Sequence, residues 1–332
     1  MTRRNLLLTA AAAARLGAAP RSKMGVATTS YMTFRRPRDT YEFLEHVHEL
    51  GGAGIQAPLT SLDPADLKKL RARAEEWGMY LEVMAPLPKE DAAAFERYAA
   101  AAKEAGAACL RTGCLGGRRY ETFSALSEWQ EFVARSRESI ERALPVLERH
   151  RIPMGLENHK DWTIEELAPL LRQHSSPWLG ACIDTGNNIA LLDDPMEVVE
   201  QLAPFAVCTH LKDMGVEAYS DGFLLSEMPL GEGMLNLRRI VSIISSARPN
   251  VNFTLEMITR EPLRVPCLTD KYWATFPQRG GLHLARTLRT VRAQQGRQAL
   301  PRYAGLPRAA QLRVEEDNVK ESLNYAREQL GL

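Results

Sequence analysis

Short β-rich apolar runs recur along this chain, separated by longer amphipathic stretches, and this alternation limits the fold more than any other feature. Eight such runs cover residues 24–29, 54–58, 79–84, 108–113, 153–157, 180–184, 206–210 and 252–256. Between them, helical periodicity and end signals predict helices over 40–50, 64–77 (with Asp63 as its cap), 91–105, 127–150, 163–174 and 195–202. Strands that alternate with helices build βα units and a parallel sheet, because a parallel neighbour can be reached only by a crossover.

Eight units favour a closed (β/α)8 barrel over an open doubly wound sheet, and no G-x-G-x-x-G phosphate fingerprint follows the first run. The expected fold is therefore α/β, a (β/α)8 TIM barrel over 23–293. A C-terminal helical extension over 294–332 comes after it, whose amphipathic part, 314–330, packs on the barrel or on a partner, including a second copy. The segment 212–250 exceeds an ordinary unit and holds Gly222, Gly231 and Gly233, so it reads as a strand-to-helix loop enlarged over the barrel mouth.

Residues 1–22 differ in kind. Arg3 and Arg4 precede the apolar stretch Leu6-Leu7-Leu8 and a small-residue Leu-Gly-Ala-Ala segment, the layout of a twin-arginine export signal. The expectation is export to the periplasm, or a cytoplasmic protein with a loose tail if the segment is no signal. No later stretch approaches the roughly 20 apolar residues that span a bilayer, so no membrane association is expected after export. With 42 Lys and Arg against 41 Asp and Glu, no field draws nucleic acid to the chain. The five cysteines lack C-x-x-C spacing and read as buried small hydrophobes.

Chemistry is concentrated at four run ends: Gly155-Leu156-Glu157, Cys182-Ile183-Asp184, Cys208-Thr209-His210 and Thr254-Leu255-Glu256. Glu157, Asp184 and His210 are 27 and 26 residues apart, one βα unit of a barrel, and Glu256 comes 46 residues later. Residues one unit apart occupy one height on neighbouring strands and converge on the C-terminal mouth. Three carboxylates and an imidazole in a dry mouth require either that one acid stay protonated or that a divalent cation neutralise them. The second is simpler, and the mixed oxygen and nitrogen set suits one ion of Mn²⁺, Mg²⁺, Zn²⁺, Co²⁺ or Fe²⁺.

Other polar residues fall near the mouth. His159 and Lys160 come directly after the first ligand and are placed to orient substrate hydroxyls or move protons, or else form a solvated loop pair. Glu82 and Arg111 lie on the third and fourth runs, where a buried charge pairs with substrate or with its neighbour. Lys212 lies two residues past His210, and Glu232 stands between glycines in the long loop, within possible reach of the site.

The strings Leu156-Glu157-Asn158-His159, Ile183-Asp184-Thr185-Gly186-Asn187, Thr209-His210-Leu211-Lys212-Asp213, Leu230-Gly231-Glu232-Gly233 and Leu255-Glu256 resemble the xylose-isomerase-like barrel superfamily over residues 24–277. That superfamily comprises sugar phosphate isomerases and epimerases, hydroxypyruvate isomerases, inosose dehydratases and endonuclease IV, the AP endonuclease family 2 type. The resemblance implies that Glu157, Asp184, His210 and Glu256 are the metal ligands and that Glu157 and Glu256 also serve as acid and base. Where the family often has a substrate-contacting histidine three residues past the aspartate, this chain has Asn187, which weakens transfer of any one epimerase's specificity. The expected activity is metal-dependent isomerisation or epimerisation of a small carbohydrate, by proton abstraction beside a carbonyl through an enediolate. The alternative is a β-elimination lyase or dehydratase acting on a keto-sugar or keto-glycoside, and a third reading is a non-catalytic sugar-binding barrel.

Overall fold

A computed structural model describes residues 22–332 apart from 296 and 298. The export-signal expectation on 1–22 thus lies outside the described residues but for Ser22. Among the described residues, no helix is long and apolar enough to cross a membrane.

The strands are β1 (Gly25–Ala27), β2 (Gly54–Ala57), β3 (Tyr80–Met84), β4 (Cys109–Thr112), β5 (Met154–Glu157), β6 (Leu179–Asp184), β7 (Ala206–His210), β8 (Asp213–Tyr219), β9 (Gly222–Met228), β10 (Thr254–Leu255) and β11 (Leu263–Val265). Eight of them form one parallel sheet in the order β10-β1-β2-β3-β4-β5-β6-β7. A parallel bridge between Leu211 and Leu255 brings its two edges together, with the Leu211 N–H donating to Thr254 O at 2.8 Å and Glu256 N–H to Leu211 O at 3.2 Å. The chain is a (β/α)8 barrel, and each of the eight apolar runs supplies one of its strands.

The helices start where local chemistry permits. Asp63 accepts from the Ala65 N–H ahead of Pro64–Trp77, and Gly78, at a φ of 61°, ends that helix in the left-handed conformation. Asp194 caps Pro195–Leu202, whose proline occupies a position where its missing N–H costs nothing.

Pairing between β6 and β7 is irregular. Ala181 faces Ala206, but Cys182 faces Cys208, so Val207 is an extra residue in β7. A straight ladder would place Thr209 opposite Asp184; with the bulge, His210 stands there. Side chains alternate faces along a strand, so absorbing Val207 in a bulge decides which of the two points inward.

Segment 212–250 departs from the loop expected of it. Asp213–Tyr219 and Gly222–Met228 pair as an antiparallel hairpin, and Leu263–Val265 adds a third strand. The alternation Met214, Val216 and Phe223, Leu225 gives this sheet an apolar face, which packs on Ile189, Leu191, Tyr272 and Phe276 as a second small core. Asp213 anchors the turn after the hairpin: its carboxylate accepts from the N–H groups of Met214, Gly231, Gly233 and Leu235 at 2.9–3.0 Å. A Cβ on Gly233 would stand 2.2 Å from Asp213 Oδ1, so the turn needs glycine there.

Helix Arg308–Tyr325 lies against the barrel near β10 and the turn Thr28–Tyr31 that follows β1, with Val319 and Leu323 in the main core. Glu315 accepts from the Phe34 and Arg35 N–H groups at 2.9 and 2.6 Å. Leu323 is 2% exposed, so Leu323→Ala is expected to cost about 2 to 5 kcal/mol. Urea denaturation of both proteins checks this, and a change under about 0.5 kcal/mol, the range of an ordinary surface substitution, would show that the helix does not belong to the folding core.

Candidate metal centre

Glu157, Asp184 and His210 are the last residues of β5, β6 and β7, and Glu256 comes directly after β10. One ligand atom from each lies within 4.8 Å of the others. His210 Nδ1 sits 3.4 Å from Glu256 Oε1, 3.5 Å from Glu157 Oε1 and 3.7 Å from Asp184 Oδ2. It has no hydrogen-bond partner among the described residues although the ring is wholly buried. A buried nitrogen without a partner, facing three carboxylate oxygens, is the arrangement a divalent cation would satisfy.

Two of the acids, Glu256 and Asp184, are held ionised. Burial opposes charge on Glu256, but His210, Lys212 and Arg111 overcome it and hold the carboxyl well below the usual range. Burial likewise opposes Asp184, where Lys212 and the neighbouring His210 prevail and lower the pKa. Burial also lowers His210, yet neighbouring Cys182, Glu256 and Asp184 reverse this and raise its pKa.

Above the ligands opens a cavity of about 420 Å³. Arg111, His159, Lys160, Lys212 and Arg260 line it together with Glu157 and Glu256, and Met84, Leu115 and Ile258 add apolar wall. Lys160 is 3% exposed, and its Nζ donates to Asn187 Oδ1. Burial, then the positive charges of Lys212 and Arg260, depress its pKa to about 7. Burial and the charges of Lys160 and Arg111 push His159 well below its ordinary value, so its ring is neutral. Lys212 lies 2.5 Å from Glu256 and 3.1 Å from Asp184, and burial is outweighed by these carboxylates, which raise its pKa.

Asn187 does not line the cavity. Its Nδ2 donates to Glu157 Oε1 at 2.9 Å while Oδ1 accepts from Lys160 and, at 3.3 Å, from Lys212. It therefore orients Glu157 and two lysines. Arg111 pairs with Glu157 and not with Glu82.

Two expected residues are elsewhere. Glu82 is the third of five residues in β3, so it lies below the ligand layer, and Met84 reaches the cavity in its place. There it accepts from Gln56, Thr254 and Asn252, and burial, opposed by those hydrogen bonds, raises its pKa to about 7. Glu232 is exposed and outside the cavity, because the flanking Gly231 and Gly233 amides turn inward to Asp213 and carry its side chain outward.

Three participants were not singled out from sequence. Thr29, just past β1, donates to Glu256 Oε1 at 2.6 Å, and the strand-end rule applied to the first run would have found it. Glu227 and Arg260 pair at 2.5 Å beside the cavity, and Lys212 lies 3.6 Å from the same carboxylate. Burial opposes charge on Glu227, but Arg260 and Lys212 hold it at about 2. Glu227 comes from the hairpin, whose position no spacing rule predicts.

A family model described as a xylose isomerase-like TIM barrel matches residues 44–274. A 3-oxo-isoapionate decarboxylase of Pectobacterium atrosepticum is 28% identical over 246 residues, 70% of this chain and 85% of that protein. The structure of a D-psicose 3-epimerase in the presence of D-fructose superposes with a TM-score of 0.59 at 16% identity, covering 93% of this chain and 99% of that one. A xylose isomerase-like barrel protein from Mycobacterium smegmatis in complex with magnesium gives 0.53 at 17% identity, covering 80% and 98%.

Isothermal titration with Mn²⁺ is expected to show about one ion per chain, and Asp184→Ala or His210→Ala to weaken binding by more than about 100-fold, beyond what loss of an outer partner causes. Because His210 has a raised pKa, a proton competes with the ion for its ring: affinity should fall as pH drops through that pKa and level off above it. Full occupancy in His210→Ala would remove His210 from the ligand set.

Proposed function

We propose, because the chain belongs to the xylose isomerase-like TIM barrel family, that it is a metal-dependent enzyme acting on a small anionic keto-sugar, a 3-oxo sugar acid, from which it removes the carboxylate as carbon dioxide. A divalent ion held by Glu157, Asp184, His210 and Glu256 would supply Lewis-acid stabilisation of the negative charge that develops on the substrate oxygens.

Charge at the mouth carries this reading. Four carboxylates, Glu157, Asp184, Glu227 and Glu256, face the permanent cations Arg111, Lys212 and Arg260, with Lys160 titrating near 7 and His159 neutral. A bound divalent ion makes that total positive even with Lys160 neutral. A site of net positive charge in a low-dielectric cavity favours an anion over a neutral sugar. The relative named as a decarboxylase of a 3-oxo acid supports the same choice, and the cavity volume suits a small carbohydrate.

In this reaction the bond from the α-carbon to the carboxylate breaks, carbon dioxide departs, and the electron pair enters the adjacent carbonyl as an enediolate. Arg111 and Arg260 hold the substrate's charge at the cavity wall. Lys160, as ammonium, then gives its proton to the carbon, and solvent restores it. A lysine held near neutrality suits this transfer because donor strength and fraction protonated are both useful there.

Isomerisation or epimerisation, the activity expected from sequence, is the second reading. It is favoured by the ionised Glu256 and by the neutral His159, whose Nδ1 has no hydrogen-bond partner among the described residues. Either is a base able to reach the same enediolate by taking a proton, and β-elimination begins the same way.

Incubation of Mn²⁺-loaded protein in D₂O with a 3-oxo sugar acid and with a neutral ketose separates these outcomes. Carbon dioxide release with one deuterium at the former α-carbon is expected; solvent exchange with a stereoisomer of the ketose, and no carbon dioxide, would establish the second reading instead. An unsaturated product would mark elimination, and no turnover a binding protein. If Lys160 is the donor, kcat falls as pH rises through about 7, the pKa of the metal-free lysine, with the inflection moved lower by a nearby cation. Lys160→Met should remove that inflection and lower kcat by about 10²- to 10⁴-fold.

A further inference from the structure

Beneath the candidate ligands, Glu82, Gln56 and His210 form a polar chain through the barrel interior whose direction is set by the donor and acceptor inventory. Gln56 and Glu82 are register partners on adjacent strands, and both are wholly buried. Glu82 receives Gln56 Nε2 at 2.9 Å, Thr254 Oγ1 at 3.0 Å and Asn252 Nδ2 at 3.3 Å. A carboxylate surrounded by donors acts as acceptor, so Gln56 turns its amide nitrogen to Glu82 and its oxygen the other way. That oxygen lies 2.5 Å from His210 Nε2. An amide oxygen has no hydrogen to give, so the imidazole must carry one on Nε2. In the neutral ring Nδ1 is then a bare lone pair, and Nδ1 is the atom that faces Glu157, Asp184 and Glu256 without a hydrogen-bond partner among the described residues.

We infer that Gln56, oriented by Glu82, is a positioning residue that selects the His210 tautomer able to bind a cation through Nδ1. The consequence for affinity rests on the metal-centre reading; the tautomer itself does not. Without the Gln56 oxygen the neutral ring divides between two tautomers, and the Nδ1–H form presents a proton to the site where a lone pair is required. Outer partners that orient ligating histidines typically contribute about 10- to 100-fold in metal affinity. A merely space-filling Gln56 would leave the tautomer unchanged.

Nitrogen-15 NMR of histidine-labelled, metal-free protein at alkaline pH, where the ring is neutral, reads the tautomer directly, with the His210 signal assigned by its loss in His210→Asn. The wild type is expected to be the Nε2–H form. Gln56→Leu should give a tautomer mixture, with Mn²⁺ affinity by calorimetry reduced about 10- to 100-fold. Glu82→Gln, close in shape and able to donate as well as accept, frees the Gln56 amide to flip and should shift both readouts the same way, which keeps the test decisive if Gln56→Leu fails to fold. The paired exchange of Gln56→Glu with Glu82→Gln restores an acceptor against His210 and should recover the wild-type tautomer. An Nδ1–H ring in the wild type, or variants that keep its tautomer, would overturn the inference; a mixture in the variants with Mn²⁺ affinity within twofold of wild type would overturn the consequence for metal binding. If the wild type binds no Mn²⁺ at all, the metal-centre reading fails, while the tautomer measurement still decides the role of Gln56.

Discussion

Charge confined at one level of a dry barrel is the constraint on which the rest of this molecule depends. Glu157, Asp184 and Glu256 converge on His210 with almost no access to water, and like charges that close in low dielectric are stable only if opposite charge or protons meet them. Lys212 and Arg111 are answers to that demand from within the chain. Asn187 is another, since its amide spreads two lysines and one carboxylate around a single neutral group. Each of these residues is paired with a neighbour at the level of the four strand-end residues.

Much of the fold was legible because parallel strands buried on both faces read as continuous apolar runs, and each of the eight runs supplied a strand. Convergence of the four strand-end residues was legible for a related reason: one βα unit has a nearly fixed length, so spacing reports height. Height within a strand was less accessible. Glu82 lies in an apolar run as the ligands do, but it precedes the strand end by two residues and falls into the layer below. The hairpin left a period-two pattern and an Asp221-Gly222 turn signal, yet an expectation of one helix after each strand hid it. Glu232 was misplaced because flanking glycines say that backbone is free to turn without saying which way.

The hairpin matters to the chemistry as well as to the outline. It carries Glu227 to the cavity edge, where Arg260 and Lys212 both lean on it. A barrel with the same four strand-end residues but another insertion after β7 would keep the candidate metal centre and lose this control over the lysine. Differences among members of such a family are therefore expected in the segments between strands more than in the strands themselves, as the division of labour in these barrels requires.

Val207 has a consequence of another kind. Because the bulge absorbs this surplus residue and leaves His210 rather than Thr209 opposite Asp184, the centre depends on strand register as well as on side-chain identity. Most proteins lose a reactive group by exchanging it. Here the loss of the bulge, with the ladder pairing straight through Val207, would do so with every ligand residue still encoded, rotating an imidazole out of the mouth and a hydroxyl in. An inventory of the ligands in a related sequence would then count a complete centre where the strand no longer delivers one, so spacing within β7 must be read together with composition.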